Sequence, residues 1–465
     1  MSEKAKKSAT EIDMLHGPLF QKIIVFALPL LLSGVMQQSF NSVDIAVVGK
    51  YCSPQSLAAV GSNGMVVGLI VNLFLGISIG ANVVIANYIG SGRKELASRA
   101  VATAMTMSGI FGVCLALIGI TTSRPLLEMI GTPEDVIDKA VTYLRIFYLG
   151  VPFLLIFNFG SAVLRSVGDT RRPFYCLMAG GLVNVGLNLL LVLVFDMDVA
   201  GVAVSTSLSN LISAALLVWI MSKEEGELHL DLRHPYMAAE EANAILRIGV
   251  PAGVQAAVFP LSNVFILSAI NTFGSLGAAG SAAALNFEYY CYYVIAAFVS
   301  AAGAFTGQNY GARNRERCDR VFRHCLILAA VGCALCNLTI VWQKGFFTSL
   351  FTDDMQVAGY AYIRIKHVLM FQFLAASYEI AGASMRGMGY SVLPAVIAIF
   401  GTCIVRIIWV AAFHHGFIPA EMGTLLDVYP FTWVLTGMLM LLAYIRVRRC
   451  AFARLKRDEN TNFAN

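Results

Sequence analysis

The chain has 465 residues, of which 58% are hydrophobic and 13% charged, with a mean hydropathy of +0.71. Such a composition excludes an ordinary soluble domain and points to an integral membrane protein. The net charge of +5 is accounted for by topology and anionic lipid and calls for no nucleic-acid partner. The ten cysteines fall mostly inside apolar runs, so they give no disulfide framework.

Apolar runs of about 20 residues, enough to cross roughly 30 Å of hydrocarbon, recur along the chain. They predict twelve transmembrane helices at 23–48, 57–88, 99–122, 138–163, 174–196, 200–222, 245–271, 279–306, 321–343, 357–384, 392–415 and 428–446. The first run follows a polar stretch and exceeds a signal-peptide core, so the first helix is expected to stay in the mature chain. It carries Pro29 and then Gln37, Asn41 and Asp44 on one face, since steps of three and four return to the same side of a helix. The second helix holds Gly76-x-x-x-Gly80, a spacing that lets helices approach closely. Asn184 and Asn188 share a face of the fifth helix, and Thr206, Asn210 and Ser213 follow similar spacing on the sixth.

The longest polar stretch, 223–244, reads as a cytoplasmic linker whose Ala238 to Leu246 part forms a short surface helix leading to Pro251. Beyond it the polar set changes: Gln255 and Asn263 on the seventh helix, Glu288 on the eighth, Glu379 on the tenth and Arg406 on the eleventh. Glu379 and Arg406 can neutralise one another as a buried ion pair. Arg145, Arg364 and Lys366 are expected near the interface, Arg145 and Lys366 with their charges reaching outward.

One pattern organises all of this. Arg165-Ser-Val-Gly168-Asp-Thr-Arg-Arg-Pro173 returns as Arg386-Gly-Met-Gly389-Tyr-Ser-Val-Leu-Pro394, 221 positions later. Gly90, Glu95 and Arg99 recur as Gly311, Glu316 and Arg320 at the same offset, and Pro29 as Pro251 one residue further. A duplication of this size in an apolar chain points to secondary transport. Six crossings per copy make the repeats parallel. The fold class is therefore an all-α integral membrane protein of twelve transmembrane helices in two pseudo-symmetric six-helix bundles. The expected division is 1–222 for the first lobe, 223–244 for the linker, 245–447 for the second lobe and 448–465 for a basic tail.

Orientation follows from the basic residues, which collect in alternate connections, whereas Glu128, Glu134, Asp135, Asp138, Asp196, Asp198, Asp353 and Asp354 lie in the others. Both termini are then expected to be cytoplasmic, and the expected location is the cell (inner) membrane. No Walker A sequence or zinc-type His-Glu-x-x-His occurs in the sequence, and its one Gly-x-Ser-x-Gly, Gly76-Ile-Ser78-Ile-Gly80, falls inside an apolar run instead of at a strand-to-helix turn, so neither ATP-driven pumping nor enzyme chemistry is expected.

An ionisable residue inside a membrane helix costs about 2.5–3.5 kcal/mol at mid-span on insertion scales, so each invites a functional hypothesis. Asp44 is the leading proton or cation site, with Asn184, Asn188 and Glu379 as further ion-coupling candidates. Gln37, Asn41, Thr206, Asn210, Gln255, Asn263, Glu288 and Arg406 are candidates for lining the substrate cavity. No metal centre is expected beyond Na+ at Asp44, and no cofactor beyond the coupling ion.

The sequence resembles the multidrug and toxic compound extrusion (MATE) family over nearly its whole length. The likeness rests on Pro29, Gln37, Asp44 and Gly49 in the first helix, on Arg165-x-x-Gly-Asp-Thr-x-x-Pro173, on Gly307-Gln-Asn-Tyr-Gly-Ala312 and on Arg386-Gly-x-Gly389 with Pro394. It implies two lobes around a cavity that opens alternately to each side, exporting amphipathic, often cationic compounds against H+ or Na+, with Asp44 central to coupling. Where proton-coupled members often carry Asp on the fifth helix, this chain has Asn188. Acids that sodium-coupled members place on the seventh and tenth helices are met only by Glu379, about a turn away. The coupling ion stays open, with a lean to H+. Partners are then a small amphipathic molecule and the bilayer, with the monomer as the working unit. Two other readings stay open: a flippase for lipid-linked precursors on the same fold, and a non-transporting membrane receptor or membrane-embedded enzyme.

Overall fold

The structure, a computed structural model, describes residues 10–231 and 233–463. The basic residues Lys4, Lys6 and Lys7 and the last two residues of the predicted tail lie outside the described residues. Helices dominate, and no strand occurs among the described residues. In order they are α1 Leu19–Tyr51, α2 Pro54–Gly90, α3 Lys94–Met129, α4 Glu134–Ser166, α5 Arg171–Leu189 and α6 Asp198–Lys223. They continue with α7 Ala239–Ile270, α8 Gly274–Gly311, α9 Arg315–Trp342, α10 Lys344–Ser349, α11 Met355–His367 and α12 Ala375–Gly387. The last four are α13 Val392–Ala398, α14 Val405–His414, α15 Met422–Leu426 and α16 Val428–Phe463.

Among the described residues, eleven helical stretches are long and apolar enough to cross a membrane. One of them, Ala239–Gly311, has 73 residues, about 110 Å if straight at 1.5 Å per residue. It must therefore cross twice, and it breaks at Gly274, whose φ of 80° only glycine adopts freely. Twelve crossings result. The outward faces are apolar: Ile327, Val331, Leu335 and Leu338 line one side of α9 and are all exposed, the reverse of a water-soluble helix.

Three crossings are irregular where the sequence suggested plain helices. The tenth is split into α11 and α12 by a 3-10 segment, Leu369–Leu374. The fifth ends in a π segment, Leu190–Val194, and the eleventh contains another, Ile399–Ile404, between α13 and α14. The predicted surface helix at Ala238 to Leu246 is instead the start of α7, with Ala242, Ile245 and Ile248 buried in a core shared with α2 and α3. The predicted tail is a continuation of α16, which runs without interruption from Val428 to Phe463.

The repeated motif has a backbone explanation. Gly168 (φ 92°) ends α4, and Gly389 (φ 86°) ends α12 at the matching place. The N–H of Asp169 reaches back to the Leu164 carbonyl at 3.0 Å, and Tyr390 to that of Met385 at 3.0 Å, which closes each helix by the same left-handed cap. Pro173 and Pro394 then sit in the first turn of the next helix, where a missing N–H costs nothing.

Contacts divide the chain into two compact units. One joins Leu28–Gly253 with the described residues before Met14; the other joins Met14–Ala27 with the chain from Val254. In the first, α4 packs against α2, α3 and α6. Gly76 and Gly80 of α2 face Gly249 and Gly253 of α7 so closely that a Cβ at Gly76 would fall on the backbone of Gly253. In the second, α8 packs against α9, α11 and α12, and α12 against α16. Arg317 and Asn309 hold the Met14–Gly17 backbone there, by hydrogen bonds of 2.9–3.2 Å to the carbonyls of Met14, His16 and Gly17.

Candidate functional site

In the first unit, Asp44 of α1 is half-buried and accepts a hydrogen bond from the side-chain amide of Asn188 on α5. The same amide lies 3.4 Å from Asn184 Oδ1, and Asn184 Nδ2 lies 3.5 Å from Thr206 Oγ1 on α6. Thr206 in turn donates to the Val202 carbonyl at 3.0 Å. Four of the sequence-predicted residues thus form one hydrogen-bonded line across three helices. It ends on acceptors, the Asp44 carboxylate and the Val202 carbonyl, and beside the carboxylate Asn188 Oδ1 is buried without a partner. Gln37 and Asn41 are exposed on α1, and Asn210 is half-buried on α6 outside this line.

One residue that sequence spacing did not single out is Tyr143 of α4. It packs beside the apolar cluster of Val47, Val48, Val192 and Val202, the side chains one turn from Asp44, Asn188 and Thr206. A lone Tyr in an apolar run gives no periodic signal. One turn beyond Asn188, Val192 also borders a cavity of about 360 Å³ lined by Tyr51, Cys52, Ser53, Asp196 and Asp198. Lys139 closes one side of that region through Asp198 at 2.7 Å and the hydroxyls of Ser53 and Ser56 at 2.8 Å each.

In the second unit the expected ion pair of Glu379 with Arg406 does not form. Glu379 of α12 accepts from the Tyr292 hydroxyl at 3.3 Å. Arg406 of α14 instead meets Asn263 Oδ1 and Thr432 Oγ1, each at 3.3 Å, and lies over the rings of Tyr429 and Phe259. The buried pair is between Glu288 of α8 and Arg364 of α11. Its two bonds measure 2.6 and 2.9 Å, and the Glu288 and Arg364 side chains are 8% and 4% exposed. Arg364 is buried within the protein and also donates to Ser281 at 2.8 Å. Glu379 and Arg406 both follow irregular segments, a 3-10 stretch before α12 and a π segment before α14, past which counting 3.6 residues per turn no longer gives a side chain's face. Gln255 of α7 accepts from Arg386 at 3.3 Å.

Ionisable and amide groups aligned inside a duplicated set of membrane-crossing helices, with apolar faces outward, define a multi-pass membrane transporter. A family profile described as MatE matches residues 29–190 and again 251–411, once in each copy of the repeat, and the chain belongs to that family. It is 28% identical over 390 residues to "Probable multidrug resistance protein YoeA" of Bacillus subtilis, covering 82% of this chain and 84% of that one. It is also 28% identical to "Probable multidrug resistance protein NorM" of Thermotoga maritima, over 88% of this chain and 89% of the relative. A solved structure described as the outward-facing conformation of a multidrug resistance MATE family transporter superposes with a TM-score of 0.87 at 22% identity, covering 97% of this chain and 100% of the other.

Proposed function

We propose that the protein is a secondary antiporter that exports amphipathic, often cationic small molecules in exchange for H+ or Na+ by alternating access. The observation that carries the reading is Asp44. Its carboxylate stands in a membrane-crossing helix and bonds to an amide, and among the described residues no Lys or Arg forms an ion pair with it. A carboxylate and an unmet amide oxygen side by side attract a cation. A coupling ion and a cationic substrate then compete for the same negative charge. If each favours a different conformation, their exchange drives the cycle.

In this reading Asn184 and Asn188 orient the Asp44 carboxylate, and Glu379 is a second, separate acid. Gln37, Asn41, Thr206, Asn210, Gln255 and Asn263 face the substrate path. The protein works as a monomer in the cell (inner) membrane with both termini in the cytoplasm, and it acts as a carrier, not as an enzyme or a nucleic-acid binder. The family resemblance and the multidrug resistance names of the relatives support a drug-like substrate. A pyrophosphate-carrying flippase substrate would call for several free cations, whereas the charge of Arg364 is already taken up by Glu288.

The test is efflux of ethidium or norfloxacin from everted vesicles under imposed proton or sodium gradients. Wild-type protein is expected to respond to one of the two gradients and Asp44→Asn to neither. Gradient-driven transport that survives unchanged in Asp44→Asn would remove Asp44 from the coupling role.

A further inference from the structure

The polar groups of the unit that starts at Val254 do not balance. Glu288 and Arg364 neutralise each other, but Arg406 has no such partner: it is 0% exposed, and among the described residues no ion pair includes it. Its contacts are neutral. Asn263 Oδ1 already receives two donors, Arg406 Nη1 and the Tyr429 hydroxyl, both at 3.3 Å. Thr432 accepts from Nε and gives its own proton to the Tyr429 carbonyl at 3.0 Å. The remaining nitrogen, Nη2, is buried with no acceptor.

A second unmet donor lies three residues on. The indole Nε1 of Trp409 is also buried without a partner. Residues three apart share a helix face, and both side chains meet α16, at Thr432 and Phe431 respectively. Guanidinium and indole N–H groups only donate. This corner of the protein therefore holds one net positive charge and two N–H groups that lack an acceptor, in a medium where an unmet donor is costly.

The repeat sharpens the contrast. Trp409 stands 221 positions after Asn188, and Asn263 stands 222 after Asn41. At the place equivalent to Asn188, whose amide oxygen is unmet, the second copy has Trp409, whose N–H is unmet; Asp44 and Arg406 each stand in one copy only, with Phe265 and Val185 at the matching positions.

We propose that Arg406 and Trp409 form a subsite for a carboxylate borne by an amphipathic, zwitterionic substrate. A planar guanidinium fork matches a carboxylate with two parallel bonds, and the indole N–H supplies a further donor from the same face. The proposal rests on the transport reading above and adds to it which residues hold the acidic end of such a substrate. Because Arg406 is fully buried, the subsite is closed in this conformation, and loading goes with an opening between α14 and α16. The phosphate of a lipid headgroup offers the same anionic oxygens and is the competing occupant.

Binding tests this without requiring transport. Purified protein in phosphatidylcholine nanodiscs is titrated with norfloxacin and with its methyl ester, which lacks the free acid. Wild type is expected to prefer the acid, and Arg406→Gln to reduce that preference about tenfold, the loss of one charge-assisted pair. Arg406→Lys should recover part of it, and Trp409→Phe should lose part. Equal binding of acid and ester by wild type overturns the proposal, as does an unchanged preference in folded Arg406→Gln. If Arg406→Gln fails to fold, an unchanged preference in Trp409→Phe overturns it just as well. Adding phosphatidylglycerol to the nanodiscs separates the sources: abolition of the acid preference by anionic lipid assigns the site to a headgroup and overturns the substrate assignment. Ethidium efflux by wild type, measured in parallel, reports on the transport reading alone.

Discussion

Replacing Glu288 by Gln removes one charge and little else. The side chain keeps its length, Gln372 still reaches the Glu288 carbonyl at 2.9 Å, and Ser281 still accepts from Arg364 at 2.8 Å. What changes is that Arg364, with a side chain only 4% exposed, keeps its positive charge inside the protein with no counter-ion. Removing one partner of a buried pair costs about 3–5 kcal/mol, because the charge left behind is uncompensated. Replacing both partners, Glu288→Gln with Arg364→Met, removes the charge altogether and should return stability to within about 1 kcal/mol of wild type or better. Reversible unfolding in mixed micelles, followed by helical circular dichroism, measures both. A single mutant as stable as wild type, or a double mutant worse than the single, would refute the reasoning. Glu288 would then have to carry some role other than counter-ion to Arg364.

Gly76→Val should destabilise by more than the 1–3 kcal/mol or so of ordinary overpacking, because its Cβ meets backbone at Gly253 and Ala252, which cannot swing aside as a side chain can. A melting curve unchanged from wild type would contradict that close approach. Asp169→Ala should cost about 2–4 kcal/mol. The carboxylate is 0% exposed, accepts from the N–H groups of Arg171 and Arg172 at 3.1 Å each and from Thr10 at 3.0 Å, and also pairs with the Arg172 side chain. The same micelle titration reads it, and a loss under 1 kcal/mol would mean that the cap is dispensable.

Parts of this architecture were legible in the sequence because they depend on local geometry. The Arg-Gly-Pro repeat announces a left-handed glycine followed by a first-turn proline, and Gly168 and Gly389 have the same φ sign and the same capping bond. Asp44, Asn184, Asn188 and Thr206 sit at helical spacings that survive in nearly regular helices, so their faces could be read by counting. Pairing in the second copy could not be read that way. Glu288 and Arg364 are 76 residues apart, and which acid meets which arginine depends on the rotation of each helix. The 3-10 and π segments before α12 and α14 alter that rotation, and neither has a compositional mark in an apolar run. The partner of Gly76-x-x-x-Gly80 was hidden for a similar reason. Gly249 and Gly253 have the same spacing but lie on α7, whose first turns belong with the first unit.

The central claim is that Asp44 exchanges a coupling ion for a cationic substrate, and it is tested most directly without a membrane gradient. Purified protein in weakly buffered detergent solution is mixed with ethidium while a pH indicator follows protons, and with the protein preloaded with radioactive sodium in a parallel run. Competition for one carboxylate predicts that substrate binding releases H+ or Na+ from wild type and releases neither from Asp44→Asn. Ethidium binding to wild type with no ion released, or equal release from Asp44→Asn, would contradict it.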